Sequence, residues 1–456
     1  MPTIVSKARL NATTPDILNA IRNSATANYR EYVPVATQDS ASIRAIGAVI
    51  MNFPALQNEF LHSLVNRIGR VILTNKMYDN PWAMFKKGML EYGETIEEIF
   101  VDIAKPFEYD PAVAEQKVFQ RNIPEVLSAF HVLNYQKFYK STIQEKNLRQ
   151  AFLSMNGVTD LIAKIVDAMY TGANYDEFQT MKYLIAKHLL NGEIYPVDIS
   201  EITSVAPTVV AVKKLSNDFT FLGREYNLAG VATKTDRNDQ YLIVNSEFDA
   251  QMDVEVLAAA FHMDKAEFAG HRVLVDSFGK LDTDRLSELF ENDPSYSPLT
   301  QAEMTALDKI PCVLVDRDWF MIFDNLLEFT EQYNGEGLYW NYWYHAWKTF
   351  SISPFANAAA MIPGTPTVTS VTVTPETMTV PSGTRIVQLY VAVESTNFAP
   401  KAVNWTVDDT AAEAGVVISP LGTVTIPAEY TGSITATATS RFDSTVSDTA
   451  TITVSE

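Results

Sequence analysis

The feature that most constrains this chain is a change of character at Met361–Ser370, MIPGTPTVTS. Before it, helical and strand-like periodicities are mixed and aromatics are dense; after it come short Thr/Val alternations punctuated by Pro, Gly, Asn and Asp. A break of this kind marks a domain boundary, here at Pro363 and Gly364. With 456 residues in all, the first region is long enough for a sizeable core.

The second region, 363–456, reads as all-β. Candidate strands are Val368–Thr374, Arg385–Glu394, Ala402–Val407, Gly415–Ser419, Thr423–Pro427, Ser433–Ser440 and Asp448–Ser455, each with period-2 alternation and β-branched residues. Strands of that number and spacing predict an immunoglobulin-like sandwich with Trp405 in its core. Pro375, the PSG at Pro381–Gly383, an inward Trp405 and the G-x-V-T at Gly422 together resemble the bacterial Ig-like group 2 family.

The first region is α+β. Thr14 and Pro15 cap and start a helix with Ile17, Leu18 and Ile21 on one face, and Phe60, Leu61, Leu64 and Ile68 repeat at helical spacing. Residues Asn80–Asp110 read as a long extended arm in which Ile96, Glu98, Phe100 and Asp102 alternate with Thr95, Glu97, Ile99 and Val101. Its charges lie on both faces, so it is no central strand, and an edge needs cover. Further extended structure is expected over Val118–Ile143. Val158, Leu161, Ile162, Ile165 and Met169 mark a helix that stops at Thr171–Asn174. A second helix then starts with Asn174 and Glu177 as its capping box. Strands are expected at Tyr241–Asn245, His271–Val275, Cys312–Asp316 and Trp319–Phe323, a helix over Val254–Phe261, and a D-x-x-E cap at Asp264 and Glu267.

The formal charge of -20 argues against a basic grip on nucleic acid. No apolar run has the length of a membrane span, and the first residues lack the apolar core of a secretion signal, so a product made in a cytoplasm is expected. Cys312 is the sole cysteine, which excludes an intrachain disulfide or a thiolate metal cluster; in PCVLVD it reads as a buried, inert thiol. GMLEYGET has the glycines of a phosphate loop, Gly88 and Gly93, but Glu94 stands where lysine is required. The six histidines, His62, His131, His188, His262, His271 and His345, form no HExxH, and His262, Asp264 and His271 are weak as a metal set. Asp282, Asp284 and Glu288 lack calcium-loop spacing and read as a solvated helix start. Neither a nucleophile elbow nor a dinucleotide-binding turn is present, and Glu97–Glu98 point to opposite sides of a strand. No cofactor, metal or catalytic residue is assigned.

The run Gly337–Met361 is either a ligand platform or a wall. Read as a strand, one face carries Tyr339, Trp343, His345 and Trp347, the other Trp340, Tyr342, Tyr344 and Phe350, with Lys348 the nearest full cation. Aromatics on both faces favour a wall buried on both sides, with Trp319, Trp340, Trp343, Trp347 and Phe350 as core residues.

Four stretches, NPWAMFKKGMLEYGETIEEIFVDI, AEQKVFQRNIP, VDRDWFMIFDNL and GLYWNYWYHAWKTFSISPFANA, stand in that order before the β-rich region. Together they resemble the major capsid proteins of the phi-twenty-nine-like small podoviruses. The resemblance implies the Hong Kong 97 type shell fold over residues 1–362. Within it come an N-arm at 1–50, an E-loop at about 80–110, a spine-helix region at about 157–190, an axial domain at about 195–311 and peripheral return strands at about 319–361. It implies that Lys86, Lys87, Tyr92, Glu97, Glu98 and Phe100 of the E-loop contact a neighbouring subunit. The implied partners are the chain itself in hexamers and pentamers, a scaffolding protein, a portal or connector and head fibres, around packaged double-stranded DNA. Neither a scaffolding segment nor a cleaved segment of obvious length, nor a self-catalysed crosslink, is expected. Two rival readings remain: a surface adhesin or carbohydrate-binding protein that uses the β-rich module and the aromatic strand, and a carbohydrate-active enzyme, which would need a carboxylate pair in a cleft.

Overall fold

The computed structural model describes residues 14–60, 63, 78–90, 95–104, 106, 126–144, 157–202, 204–259 and 271–455. In chain order the helices named below are α1 Thr14–Ser24, α2 Ala27–Tyr32, α3 Ser40–Asn52, α4 Gly157–Leu190, α5 Val205–Asp218 and α6 Ser246–Ala259. The strands of the first region are β1 Lys86–Met89, β2 Ile96–Val101, β3 Val126–His131, β4 Tyr135–Gln144, β5 Tyr195–Asp198, β6 Gln240–Asn245, β7 Arg272–Val275, β8 Cys312–Asp316, β9 Phe320–Asn334, β10 Tyr339–Ile352 and β11 Ala358–Ile362. Two compact units result, one of residues 1–94, 132–179 and 322–349, the other of 95–131, 180–321 and 350–456.

In the first unit a four-stranded sheet, ordered β1-β9-β10-β4, carries a helical layer on one face. Leu18 and Ile21 of α1, with Ile43, Ile46 and Ile50 of α3, recur at i, i+3 and i+7, so each helix has one apolar stripe, and all five are buried. Thr26 caps α2 and Asp39 caps α3, each side chain accepting a backbone N–H of the first turn. Over its described part, the segment 1–50 expected as an N-arm forms helices whose apolar stripes bury against the sheet. Residues 54–60 are helical, whereas Leu61, Leu64 and Ile68 lie outside the described residues.

β10 runs antiparallel to β4 from Tyr339↔Gln144 to Lys348↔Tyr135. Trp340, Tyr342, Tyr344, Ala346 and Lys348 are buried, while Tyr339, Trp343, His345 and Trp347 on the opposite face are half-exposed. Tyr344 stacks on Tyr170 of α4 at 4.4 Å. The aromatic run is thus a wall on one face only, because within this chain the helical layer covers one side of the sheet. Trp343 and Trp347 lie on the half-exposed face, and Trp319 is buried in the other unit.

Helix α4 is continuous over 34 residues, roughly 50 Å at the α-helical rise. The break expected at Thr171–Asn174 does not occur. Gly172 costs about 1 kcal/mol relative to alanine, but its neighbours are anchored: Met169 and Ala173 are buried, and Asn174 donates its side-chain N–H to the Tyr78 carbonyl at 2.8 Å. Asn174 is no cap, and Glu177 has a different task, described below.

The second unit is built on a five-stranded mixed sheet, β5-β11-β8-β6-β7. The near-continuous apolar runs CVLVD and QYLIVN become central strands buried on both faces, and AAAMI of β11 is buried throughout. α5 and α6 cover the sheet with Val212, Leu215, Phe248 and Met252 against Leu242, Val244, Leu314 and Met361. Cys312 lies in this core, where burial pushes its thiol up to about 12. Of the segment expected to supply return strands at 319–361, β9 and β10 belong to the first sheet, and β11 pairs with β5 and β8. Its wholly apolar side chains, three of them alanine, suit a strand enclosed on both faces. Asp282 caps the helix Thr283–Leu289, the role its sequence position suggests, while Asp264, Glu267 and His262 lie outside the described residues.

The C-terminal module has nine strands among the described residues: β12 Thr367–Thr374, β13 Thr377–Pro381, β14 Ile386–Gln388, β15 Tyr390–Thr396, β16 Val403–Val407, β17 Val417–Ile418, β18 Thr423–Thr425, β19 Gly432–Ser440 and β20 Ser447–Ser455. The expected strand Arg385–Glu394 is split at the buried Leu389, and Thr377–Pro381 is a strand the periodicity did not reveal. Val371, Val373, Val424, Ile434, Ile452 and Val454 fill the core, against which the partly buried Trp405 packs.

Candidate assembly surface

β2 and β3 form a two-stranded antiparallel ribbon, with Glu97↔Phe130, Ile99↔Ser128 and Val101↔Val126 paired on one face. An extended segment without an intrachain partner was expected; β2 instead pairs with β3, which satisfies one edge of its backbone. The two faces differ sharply.

The inner face is pinned within its unit. Glu98 accepts a hydrogen bond from Ser353 Oγ at 2.7 Å and lies 3.3 Å from Nε2 of the buried His131, whose Nδ1 is 2.8 Å from Ser351 Oγ. Phe100 stacks on Phe355 at 5.5 Å. At the end of β2, both carboxylate oxygens of Asp102 accept from the Arg224 guanidinium at 2.9 and 2.7 Å.

The outer face is largely apolar and exposed: Ile99, Val101, Ile103, Val126 and Phe130 are all more than half accessible, with the exposed Glu97 and Ser128 among them. An exposed, mostly apolar row on a ribbon pinned through its other face is the mark of a surface that another molecule covers. Of the six residues proposed as inter-subunit contacts, Lys86, Glu98 and Phe100 are engaged inside the chain, and Glu97 faces outward. Lys87 is half-buried on β1, and Tyr92 lies outside the described residues. The outward row is the second alternation of the sequence, Thr95, Glu97, Ile99 and Val101, but nothing in it tells which row turns outward. Only the partners of Glu98 and Phe100, more than 200 residues away at Ser353 and Phe355, decide that.

In the first unit, the segment leading into this arm is anchored by buried charge. The Glu177 carboxylate on α4 accepts from Asn80 Nδ2 at 2.6 Å, from Lys86 Nζ at 3.2 Å and from Lys348 Nζ. Asp324 completes the group, 2.6 Å from Lys86 and 3.7 Å from Lys348. Two cations and two anions balance in a site where Glu177 and Lys348 are almost fully enclosed. Burial pushes the Glu177 carboxyl up, but Lys348, Lys86 and Asn80 together outweigh it and hold it below the usual carboxylate value. Burial likewise pulls Lys86 down, and its two carboxylates more than reverse that. Trp82, fully buried, packs edge-on against Phe178 at 5.3 Å.

Among the described residues no group of three His, Cys, Asp or Glu side chains is arranged to hold a metal, and no helix is long and apolar enough to cross a membrane. His131 and His188 are engaged with glutamates, Glu98 and Glu193 respectively.

Comparison with known proteins gives this arrangement its context. Residues 18–362 match the family model of the Phi29-like phage major capsid protein. The major capsid protein of Bacillus phage B103 is 39% identical over 433 residues, 93% of this chain and 89% of that protein. That of Bacillus phage PZA is 36% identical over 93% of this chain and 89% of its own length. That of Streptococcus phage Cp-1 is 30% identical over 58% of this chain and 76% of its own length. Among solved structures, a chain from the head fiber and inner core protein structure of bacteriophage P68 superposes with a TM-score of 0.50 at 15% identity, covering 64% of this chain and 86% of that one. The fold is α+β and is shared with that phage chain. The chain belongs to the Phi29-like phage major capsid protein family. It is a structural protein of the virion, the subunit that assembles into a tailed bacteriophage capsid, and not an enzyme.

Proposed function

We propose that the β2–β3 ribbon is the E-loop of this shell protein and that its outward strip is covered by a neighbouring copy in hexamers and pentamers. The observation that carries this reading is the contrast between the faces: one is held by Glu98, Phe100 and Asp102, and the other leaves Phe130 63% exposed. Covering a side chain of that size contributes about 1.5–3 kcal/mol, and repetition over a closed shell multiplies a modest contact. On the same reading α4 is the spine helix, the sheet β5-β11-β8-β6-β7 lies in the axial domain, and the C-terminal module is an Ig-like domain of the bacterial group 2 kind.

The formal charge of -20 suits a container whose wall must let packaged double-stranded DNA slide, since a basic wall would hold phosphates. A scaffolding protein, a portal and head fibres are the further partners. The test is co-expression with the candidate scaffold, followed by sedimentation and negative-stain microscopy. Closed shells containing the chain are expected; a chain that stays monomeric under every condition contradicts the proposal.

A further inference from the structure

The C-terminal module is joined to β11 by only a few residues, yet its contacts extend well beyond that joint, and their centre is Arg441. This residue sits on the β19–β20 turn, which is stiffened from within: Ser440 Oγ accepts from the Phe442 and Asp443 amides, each at 3.2 Å, and Asp443 accepts from the Thr445 amide at 3.0 Å. The Arg441 amide donates to Ala402 O at 3.0 Å. The side chain leaves its own module. Nη1 donates to Leu228 O at 2.9 Å and Nη2 reaches Arg224 O at 3.4 Å, both on the loop that follows α5. A fork of donors set against backbone carbonyls is a geometry that guanidinium supplies and ammonium does not.

The receiving loop is equally fixed. The buried Asn227 side chain closes it, donating to Val231 O at 2.9 Å and accepting the Val231 amide at 2.8 Å, and the Ala229 amide donates to Pro354 O at 2.9 Å. Arg224 of the same loop holds Asp102 at the base of the ribbon and donates to Gly230 O at 3.3 Å. Two glycines are shaped to the module. A Cβ on Gly230, whose φ is +69°, would lie 2.2 Å from the Arg441 guanidinium; one on Gly192, with φ +71°, would lie 2.5 Å from Ala399 O. The first would displace the guanidinium from its carbonyls, and the second, set against backbone, would push the module away. The rings of Tyr195 and Phe442 are 6.1 Å apart, and Thr365 of the linker is clasped by Ser200 at 3.1 Å and by Asn397 at 2.8 Å.

We propose that the C-terminal module is docked in a single orientation on the loop Arg224–Val231, with Arg441 as the positioning residue, and does not swing on its linker. One loop then seats both the module and the base of the ribbon, so the module's footprint on the shell is set by the same residues that place the assembly arm.

The test compares full-length wild type with Arg441→Ala, and with Arg385→Ala as a control that removes an exposed positive charge from the same module. Hydrogen exchange is followed in peptides covering 224–231 and 363–366. Exchange there is expected to accelerate roughly tenfold or more in Arg441→Ala, the factor set by losing a hydrogen bond to a charged donor, and to stay at the wild-type rate in Arg385→Ala. Equal exchange in all three overturns the proposal. A second measurement needs no variant and is read even if Arg441→Ala misfolds: in maps of wild-type shells the module is expected at the local resolution of the five-stranded sheet. Density smeared relative to that sheet overturns it.

Discussion

Replacing Glu177 by glutamine removes one charge from the buried group and almost nothing else. The amide retains an acceptor for Asn80, but Lys86 and Lys348 then share only Asp324, which stands 3.7 Å from Lys348 Nζ, too far for a direct hydrogen bond. The side chain of Lys348 is 4% exposed, so water cannot replace the lost partner. Breaking a buried pair from one side costs about 3–5 kcal/mol, against a total of about 5–15 kcal/mol for a folded unit. At about 2–4 °C per kcal/mol for units of this size, the midpoint should fall by roughly 6–20 °C. The assay is thermal unfolding of the unassembled chain, followed by tryptophan fluorescence, with the buried Trp82 beside Phe178 as reporter. Adding Lys348→Met restores one cation to one anion, Lys86 with Asp324, and should recover at least part of the loss. A single variant within about 0.5 kcal/mol of wild type, the range of a neutral surface change, would refute the reasoning. So would a double variant whose cost is the sum of the two singles.

The pH dependence of the same group has a definite sign. Because the folded Glu177 pKa lies below its unfolded value, its contribution is full above about pH 4.3 and is lost as pH falls through the folded value, so wild type and Glu177→Gln should converge in acid. Lys86, raised in the fold, contributes below about pH 10.4 and loses that as pH rises through its folded value, which a Lys86→Met comparison in alkaline melts would reveal. The Cys312 thiol should stay silent to a thiol reagent in the native chain and react fully on unfolding; native reactivity would contradict its burial. Phe130→Asp should leave the unassembled chain's melting midpoint within about 1 °C and abolish shell formation, since the side chain is exposed in the free subunit; shells of normal yield would remove the ribbon face from the contact. Deleting Thr365–Glu456 should leave shells able to form, read by sedimentation, because the carbonyls of Leu228 and Arg224 that Arg441 occupied then open to water.

The parts of the fold legible in the sequence are those whose cause is local. CVLVD and YLIVN announce buried strands because four successive residues of each are apolar, and α1 shows its stripe in Leu18 and Ile21. The parts that misled are those whose cause is distant. Thr171–Asn174 carries ordinary turn residues, and the helix survives because Asn174 and Glu177 find partners at Tyr78, Lys86 and Lys348. The alternation in β2 reveals two faces, but the inward one is chosen by Ser353 and Phe355. Trp343 and Trp347 look like core from composition, and they are half-exposed on the face of the sheet away from the helical layer. Resemblance reached the fold and the class of protein; it did not reach which side chains of the arm are free to meet a neighbour.

The most direct test of the central claim is a reconstruction of the assembled shell at side-chain resolution. The account predicts that Ile99, Val101 and Phe130 of each ribbon are buried against an adjacent subunit while Glu98 and Asp102 keep their partners within the chain. A shell in which that strip faces solvent, with the subunits joined through other surfaces, would contradict it.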